Sequence, residues 1–148
     1  MPALPALDEA LGDGVITVRP AAERDIPEIL IAHQDDPLLH RRLGLRRPPS
    51  AAELGRCFEA AGGGTDSEGG EMALTICESG SDLCVGMVGV VAEADGHARA
   101  TVWLAPQSRG RGLGERAWRL VSRWLQPAMT TAGRLTADID DAGRGLPG

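Results

Sequence analysis

Residues 102–114 read V-W-L-A-P-Q-S-R-G-R-G-L-G: an apolar, β-type run passes Pro106 and enters three glycines at alternate positions. Directly after it, Leu113, Ala117, Leu120, Val121, Trp124 and Leu125 recur at helical spacing, and Pro127 stops the pattern. A strand therefore leads through a glycine loop into a helix. Glycine accepts positive φ and lets a ligand come close to the backbone. Successive amide N–H groups and the positive end of the helix dipole then converge on an anion, which points to a phosphate or pyrophosphate. Arg109 and Arg111 are expected to add charge beside that nest. The spacing is G-x-G-x-G followed by Glu115, so the dinucleotide fingerprint G-x-G-x-x-G is not met. A P-loop is excluded for want of a lysine.

Upstream of this stretch, Met72 to Glu78 alternates apolar and polar residues, and Leu83 to Val91 is apolar throughout. Asp95-Gly96 is a hairpin signal, with a return strand from Ala98 to Leu104. These three runs predict an antiparallel meander, which argues against a doubly wound sheet. Val15 to Arg19 reads as a first strand stopped by Pro20. Asp25 with Glu28, and Ser50 with Glu53, have the spacing of capping boxes. The first predicts a helix running to Asp36-Pro37; the second predicts one with a stripe of Leu54, Cys57, Phe58 and Ala61. Arg134 to Asp140 reads as a last strand. The expected order is β-α-α-β-β-β-α-β over residues 15–140, an α+β type of α/β protein with a mostly antiparallel sheet flanked by helices. Residues 1–14 are expected to be a loose tail and 141–148 an irregular one.

The chain has 148 residues, enough for one domain, with 43% hydrophobic and 24% charged residues. All 15 basic residues are arginine; Lys, Tyr and Asn are absent. That excludes a Schiff-base lysine and a phenol as general acid. The net charge of −6 speaks against nucleic acid as a partner, and Arg41, Arg42, Arg46 and Arg47 read as a solvated loop. Three cysteines without C-x-x-C spacing fit a reducing cytoplasm and no metal site. Neither a secretory signal nor a transmembrane run is evident.

Leu104 to Gly114 resembles the acyl-CoA-binding motif of the GCN5-related N-acetyltransferases (GNAT). Arg109 to Gly114 fits that family's R/Q-x-x-G-x-G/A pattern. The pieces I-T-V-R-P, R-D-I-P-E-I, D-P-L-L and P-P-S-A-A-E are similar to the ribosomal-protein branch. The resemblance covers about Val15 to Asp140. It implies that the pyrophosphate of acetyl-CoA, the co-substrate, meets the backbone of Arg109, Gly110, Arg111, Gly112, Leu113 and Gly114. It further implies that Val102 to Leu104 splays from Leu135 to Ile139, so that the pantetheine arm pairs with Trp103 and Leu104. A free N–H there would polarise the thioester for direct attack by a primary amine, on a protein N-terminus or a small molecule.

No catalytic base is assigned by the sequence. Ala98 to Val102 carries no acid; Glu93, Asp95 and His97 flank the hairpin; Asp138 and Asp140 share one face of the last strand. His33 and His40 fall in the acceptor region with nothing to set them apart from surface histidines. The family's pattern continues beyond the last strand with an N-x-x-S stretch, a helix and further strands, so the resemblance reads as a domain truncated at its C-terminus. This predicts an unpaired strand edge open to self-association. The alternative reading is a catalytically impaired acyl-CoA-binding or interaction module.

Overall fold

The computed structural model describes residues 9–60, 71–92, 98–125 and 135–140. One sheet of six strands in the spatial order β1-β2-β3-β4-β5-β6 carries helices on both faces. Its strands are β1 (Leu11–Gly12), β2 (Ile16–Pro20), β3 (Glu71–Glu78), β4 (Cys84–Ala92), β5 (Ala98–Leu104) and β6 (Leu135–Asp140). The helices are α1 (Ile26–Asp35), α2 (Leu39–Arg42), α3 (Ala51–Ala60) and α4 (Leu113–Leu125). Strands β1 to β5 pair antiparallel, and β6 joins β5 in parallel after the crossover through α4. The expected α+β architecture and the meander are found, and the expected element order holds with two additions, β1 and α2.

Alternation divides the strands between two cores. Ile16, Val18, Leu74, Ile76, Val88, Val90, Val102 and Leu104 pack with Leu113, Ala117, Val121 and Leu125 of α4. On the other face Cys84, Met87, Trp103 and Ala105 meet Ile29 and Ala32 of α1, Leu39 of α2 and Phe58 of α3. The 3.6-residue stripe of α4 is what its burial follows.

Three local expectations change or are met in detail. Residues 11–12 belong to the sheet rather than to a tail. Asp13-Gly14 is a hairpin turn, with Gly14 at φ 91° and the Asp13 carboxylate accepting from the Val15 and Ile16 N–H groups at 2.9 and 3.0 Å. The short helix α2 follows Asp36-Pro37, where the sequence predicts a break. The Ser50–Glu53 box forms as expected, through Ser50 N to Glu53 Oε1 at 2.9 Å and Glu53 N to Ser50 Oγ at 3.1 Å.

The Asp25–Glu28 box does not form, because Asp25 is needed elsewhere. Its carboxylate is 1% exposed and accepts two bonds from Arg19 (2.8 and 2.9 Å), one from the Thr75 hydroxyl (2.8 Å) and one from the Ala22 N–H (2.9 Å). It ties β2 and β3 to the start of α1. Of the other expectations, the Gly62 to Gly70 loop, the Asp95-Gly96 turn, Pro127 and both terminal tails (1–8 and 141–148) lie outside the described residues.

Burial raises the Asp25 carboxyl, but the bonds from Arg19, Ala22 and Thr75 outweigh it and hold the group below its ordinary value. Its native pKa is therefore depressed relative to the unfolded chain. The stability that Asp25 contributes is fully present above about pH 4 and is lost as pH falls through the lowered native value. Replacing Asp25 by Ala removes the buried partner of Arg19, which keeps only the exposed Asp82 carboxylate and two carbonyls, and it leaves the Thr75 hydroxyl without its acceptor; the expected cost is about 3 kcal/mol. Urea unfolding at pH 7 checks this, and the gap between variant and parent should narrow at low pH.

Candidate active site

Strand β5 delivers Trp103 and Leu104 to the point where the glycine loop begins. Trp103 is 6% exposed and faces the helices α1 and α3; Leu104 is fully buried against α4. The Ala105 N–H donates to Val85 O at 2.8 Å, and a short 3-10 turn, Pro106–Ser108, then redirects the chain. Gly110 and Gly112 stand at φ 84° and 76°, the left-handed region that a side chain disfavours. The open space around Gly112 faces no atom within 4 Å, and α4 starts at Leu113. Helix termini leave their first N–H groups without internal partners, so the loop and the first turn of α4 have the backbone geometry that suits an anion.

The two arginines of this loop behave differently from the expectation. Arg109 turns inward, its side chain 9% exposed. Its Nη2 meets Asp36 Oδ2 at 2.6 Å and its Nε meets Leu104 O at 2.9 Å. Arg111 reaches Glu78 at 3.1 and 3.3 Å on the surface. Charge beside the loop is thus already matched by carboxylates. Burial raises the Asp36 carboxyl, yet the bonds from Arg109 and from the Leu38 N–H bring it below the usual range. Asp36 also caps the turn into α2 and lies 3.5 Å from Arg42.

The expected separation of Val102–Leu104 from Leu135–Ile139 is not present. The parallel ladder runs through Val102↔Ile139 to Trp103↔Asp140, and only Leu104 follows the last pair. Parallel pairing satisfies the backbone groups that the two strands turn toward each other, and the register holds through its last pair.

A cavity of about 410 Å³ opens beside Trp103, between the sheet and the helices. Ile29, Leu43, Leu54 and Met87 make it apolar; Arg46, Arg47 and Glu53 stand at its exposed mouth. Glu53 is held down to about 2 by the two bonds from Arg47 and by the Ser50 N–H. All four arginines of the basic cluster are exposed, as expected; Arg41 and Arg42 belong to α2, and Arg46 and Arg47 line this mouth. His33 of α1 lines the same cavity, with its ring 6.0 Å from that of Trp103. Among the sequence's candidates whose side chains are described, His33 is the one that lies against Trp103 of β5. Glu93, Asp95 and His97 lie outside the described residues. Asp138 and Asp140 are placed by register opposite Thr101 and Trp103, and their side chains lie outside the described residues. Among the described residues no group of three or more His, Cys, Asp or Glu could hold a metal ion, and no helix is long and apolar enough to cross a membrane.

Gly86 of β4 pairs with Leu104, and a Cβ there would collide with the Trp103 carbonyl and come within 2.7 Å of Leu104 Cδ2. Gly86→Ala is expected to destabilise by about 1–3 kcal/mol through backbone displacement at the end of β5. Thermal unfolding, with Trp103 fluorescence as the local reporter, checks it; an unshifted melt would show that the strand end yields freely.

No curated protein sequence matches the chain. Solved structures do match in fold. A protein assigned as a ribosomal-protein-serine acetyltransferase from Vibrio cholerae is 15% identical, with TM-score 0.67 over 88% of this chain and 73% of that one. An assigned acetyltransferase from T. thermophilus is 20% identical, with TM-score 0.67 over 95% and 74%. The acetyltransferase from Salmonella typhimurium that modifies the N-terminal serine of ribosomal protein L7/L12 is 15% identical, with TM-score 0.59 over 82% and 70%. The profile of the acetyltransferase (GNAT) domain matches residues 16–142. With the strand, glycine loop and helix in the order that the motif requires, the chain belongs to the GNAT acetyltransferase family.

Proposed function

We propose that the chain transfers the acetyl group of acetyl-CoA to a primary amine, on a protein N-terminus or a small molecule, by direct attack. The observation that carries this is the loop of residues 109–114, with Gly110 and Gly112 at positive φ between the end of β5 and the start of α4. These residues fit the co-substrate. A diphosphate needs converging amides and close backbone approach, and Gly112 offers both without an obstructing atom. The co-substrate supplies an activated thioester carbonyl.

The chain's own contribution is placement. The backbone of Arg109 to Gly114 would hold the pyrophosphate. Trp103 would exchange its β6 partner for the pantetheine arm, and Leu104, which lies past the last pair, would continue that pairing, so that an N–H at the strand end meets the carbonyl as charge develops on it. Opening only the last ladder pairs suffices, since Leu104 already lies past them. Arg109 holds the Leu104 carbonyl and keeps the strand end in place while the ladder opens. The buried Trp103 and Met87 exclude water from the acceptor side.

Titration calorimetry tests the reading. The protein is expected to bind acetyl-CoA in the micromolar range. Gly112→Val, forced to hold φ 76° with a β-branched side chain, is expected to bind roughly tenfold more weakly or worse, a loss of about 1.4 kcal/mol per factor of ten. Absence of heat with the folded parent protein would overturn the proposal.

A further inference from the structure

His33 is 5% exposed, and its Nδ1 is buried with no hydrogen-bond partner among the described residues. The ring nevertheless lines the cavity beside Trp103, which leaves Nε2 as the nitrogen open to that space. A buried ring nitrogen without a partner is costly and is retained where something else requires the residue. With the proton on Nδ1, the neutral ring presents the Nε2 lone pair to the cavity. The walls there, Ile29, Leu43, Leu54 and Met87, suit an apolar body and offer nothing to a polar one.

We infer that this cavity receives the acceptor as a primary amine carried on an apolar body, and that Nε2 of His33 takes the proton from its ammonium. This rests on the acetyl-transfer reading above. The proton balance is closed. R–NH3⁺ gives one proton to His33, and the freed nitrogen lone pair forms the C–N bond while the C–S bond breaks. The departing thiolate takes the second proton from the new amide nitrogen, and His33 returns the first to solvent through the mouth at Leu45 and Arg46.

The electrostatics agree with the geometry. Burial and the neighbouring His40 push the His33 imidazole below its ordinary value, and Asp36 opposes them. Asp36 is itself engaged by Arg109, so it is a weak counter-ion. From α3 and the preceding segment the charged groups facing the cavity are Glu53, Arg46 and Arg47, with Glu53 and Arg47 paired to each other. Cys57 lines the cavity from α3. A base of this kind is neutral and ready at pH 7.

The test measures thiol release from acetyl-CoA with hexylamine, 2-phenylethylamine, a Leu-headed peptide and, as polar contrasts, ethanolamine and a Ser-headed peptide. At least one apolar amine should exceed its polar counterpart about tenfold or more in kcat/KM. The small amines against the peptides decide which source of the amine is used. The pH profile of kcat/KM should show an acidic limb coinciding with the His33 titration followed by NMR. His33→Gln should lower kcat about 100-fold with little change in KM. It should also remove the limb, leaving a rate that climbs toward the amine's own titration. His40→Gln should move the limb to higher pH. Because the limb and the NMR titration are compared in the parent protein, the assignment does not depend on the variant folding. Equal use of polar amines, a limb apart from the His33 titration, or a limb kept by the glutamine variant overturns the inference alone. Acetyl-CoA binding with no thiol release for any amine overturns the acetyl-transfer reading itself.

Discussion

One guanidinium joins the parts of this protein that must act together. Arg109 sits in the glycine loop, bonds the carbonyl of Leu104 at the end of β5, and bonds Asp36 at the end of α1. The strand end and the glycine loop are five residues apart, but the end of α1 lies more than 60 residues before them and otherwise meets β5 mainly through apolar packing. A planar fork with fixed donor directions sets their relative position more tightly than packing does. The pair is nearly buried on both sides, so removal of either partner leaves a charge with no water to meet it. Constraint of this kind accounts for a glycine loop whose arginines pair with carboxylates of the protein itself.

The sheet separates two tasks. Its α4 face is a dense aliphatic core, with most members fully buried, and it fixes the start of α4 relative to β5. Its other face is looser and mixed, and the cavity, His33 and Trp103 all lie there. Trp103 and Leu104 are neighbours in sequence and point to opposite faces, so the end of β5 is gripped by the rigid core through Leu104 and exposed to the acceptor side through Trp103. Gly86 allows β4 to approach closely enough for both.

Much of this is legible in the sequence, because the signals are periodic or local. The stripe from Leu113 to Leu125, the alternation of Met72 to Ile76 and the Ser50–Glu53 box each depend on residues close in the chain. The glycine loop is legible for the same reason. Misreadings come where a side chain serves a distant partner. Asp25 has capping-box spacing but is drawn to Arg19 and Thr75, the latter 50 residues away. Arg109 looks like a phosphate ligand until Asp36, 73 residues earlier, claims it. Asp13-Gly14 is a hairpin signal, but one arm is only two residues long, too short for alternation to show. No sequence signal distinguishes His33 from His40; what sets it apart is a cavity assembled from α1, α3, β4 and β5.

Every ion pair described involves arginine, in a chain without a single lysine. A guanidinium stays protonated at neutral pH and has no free lone pair to offer an electrophile. A lysine ammonium, by contrast, is always in equilibrium with a nucleophilic amine. A protein that held thioesters close to its own surface would slowly acylate such amines and lose the charges that hold it together. Here there is no side-chain amine to modify. The electrostatic frame is chemically inert toward a thioester, the reagent that the proposed function brings to the glycine loop.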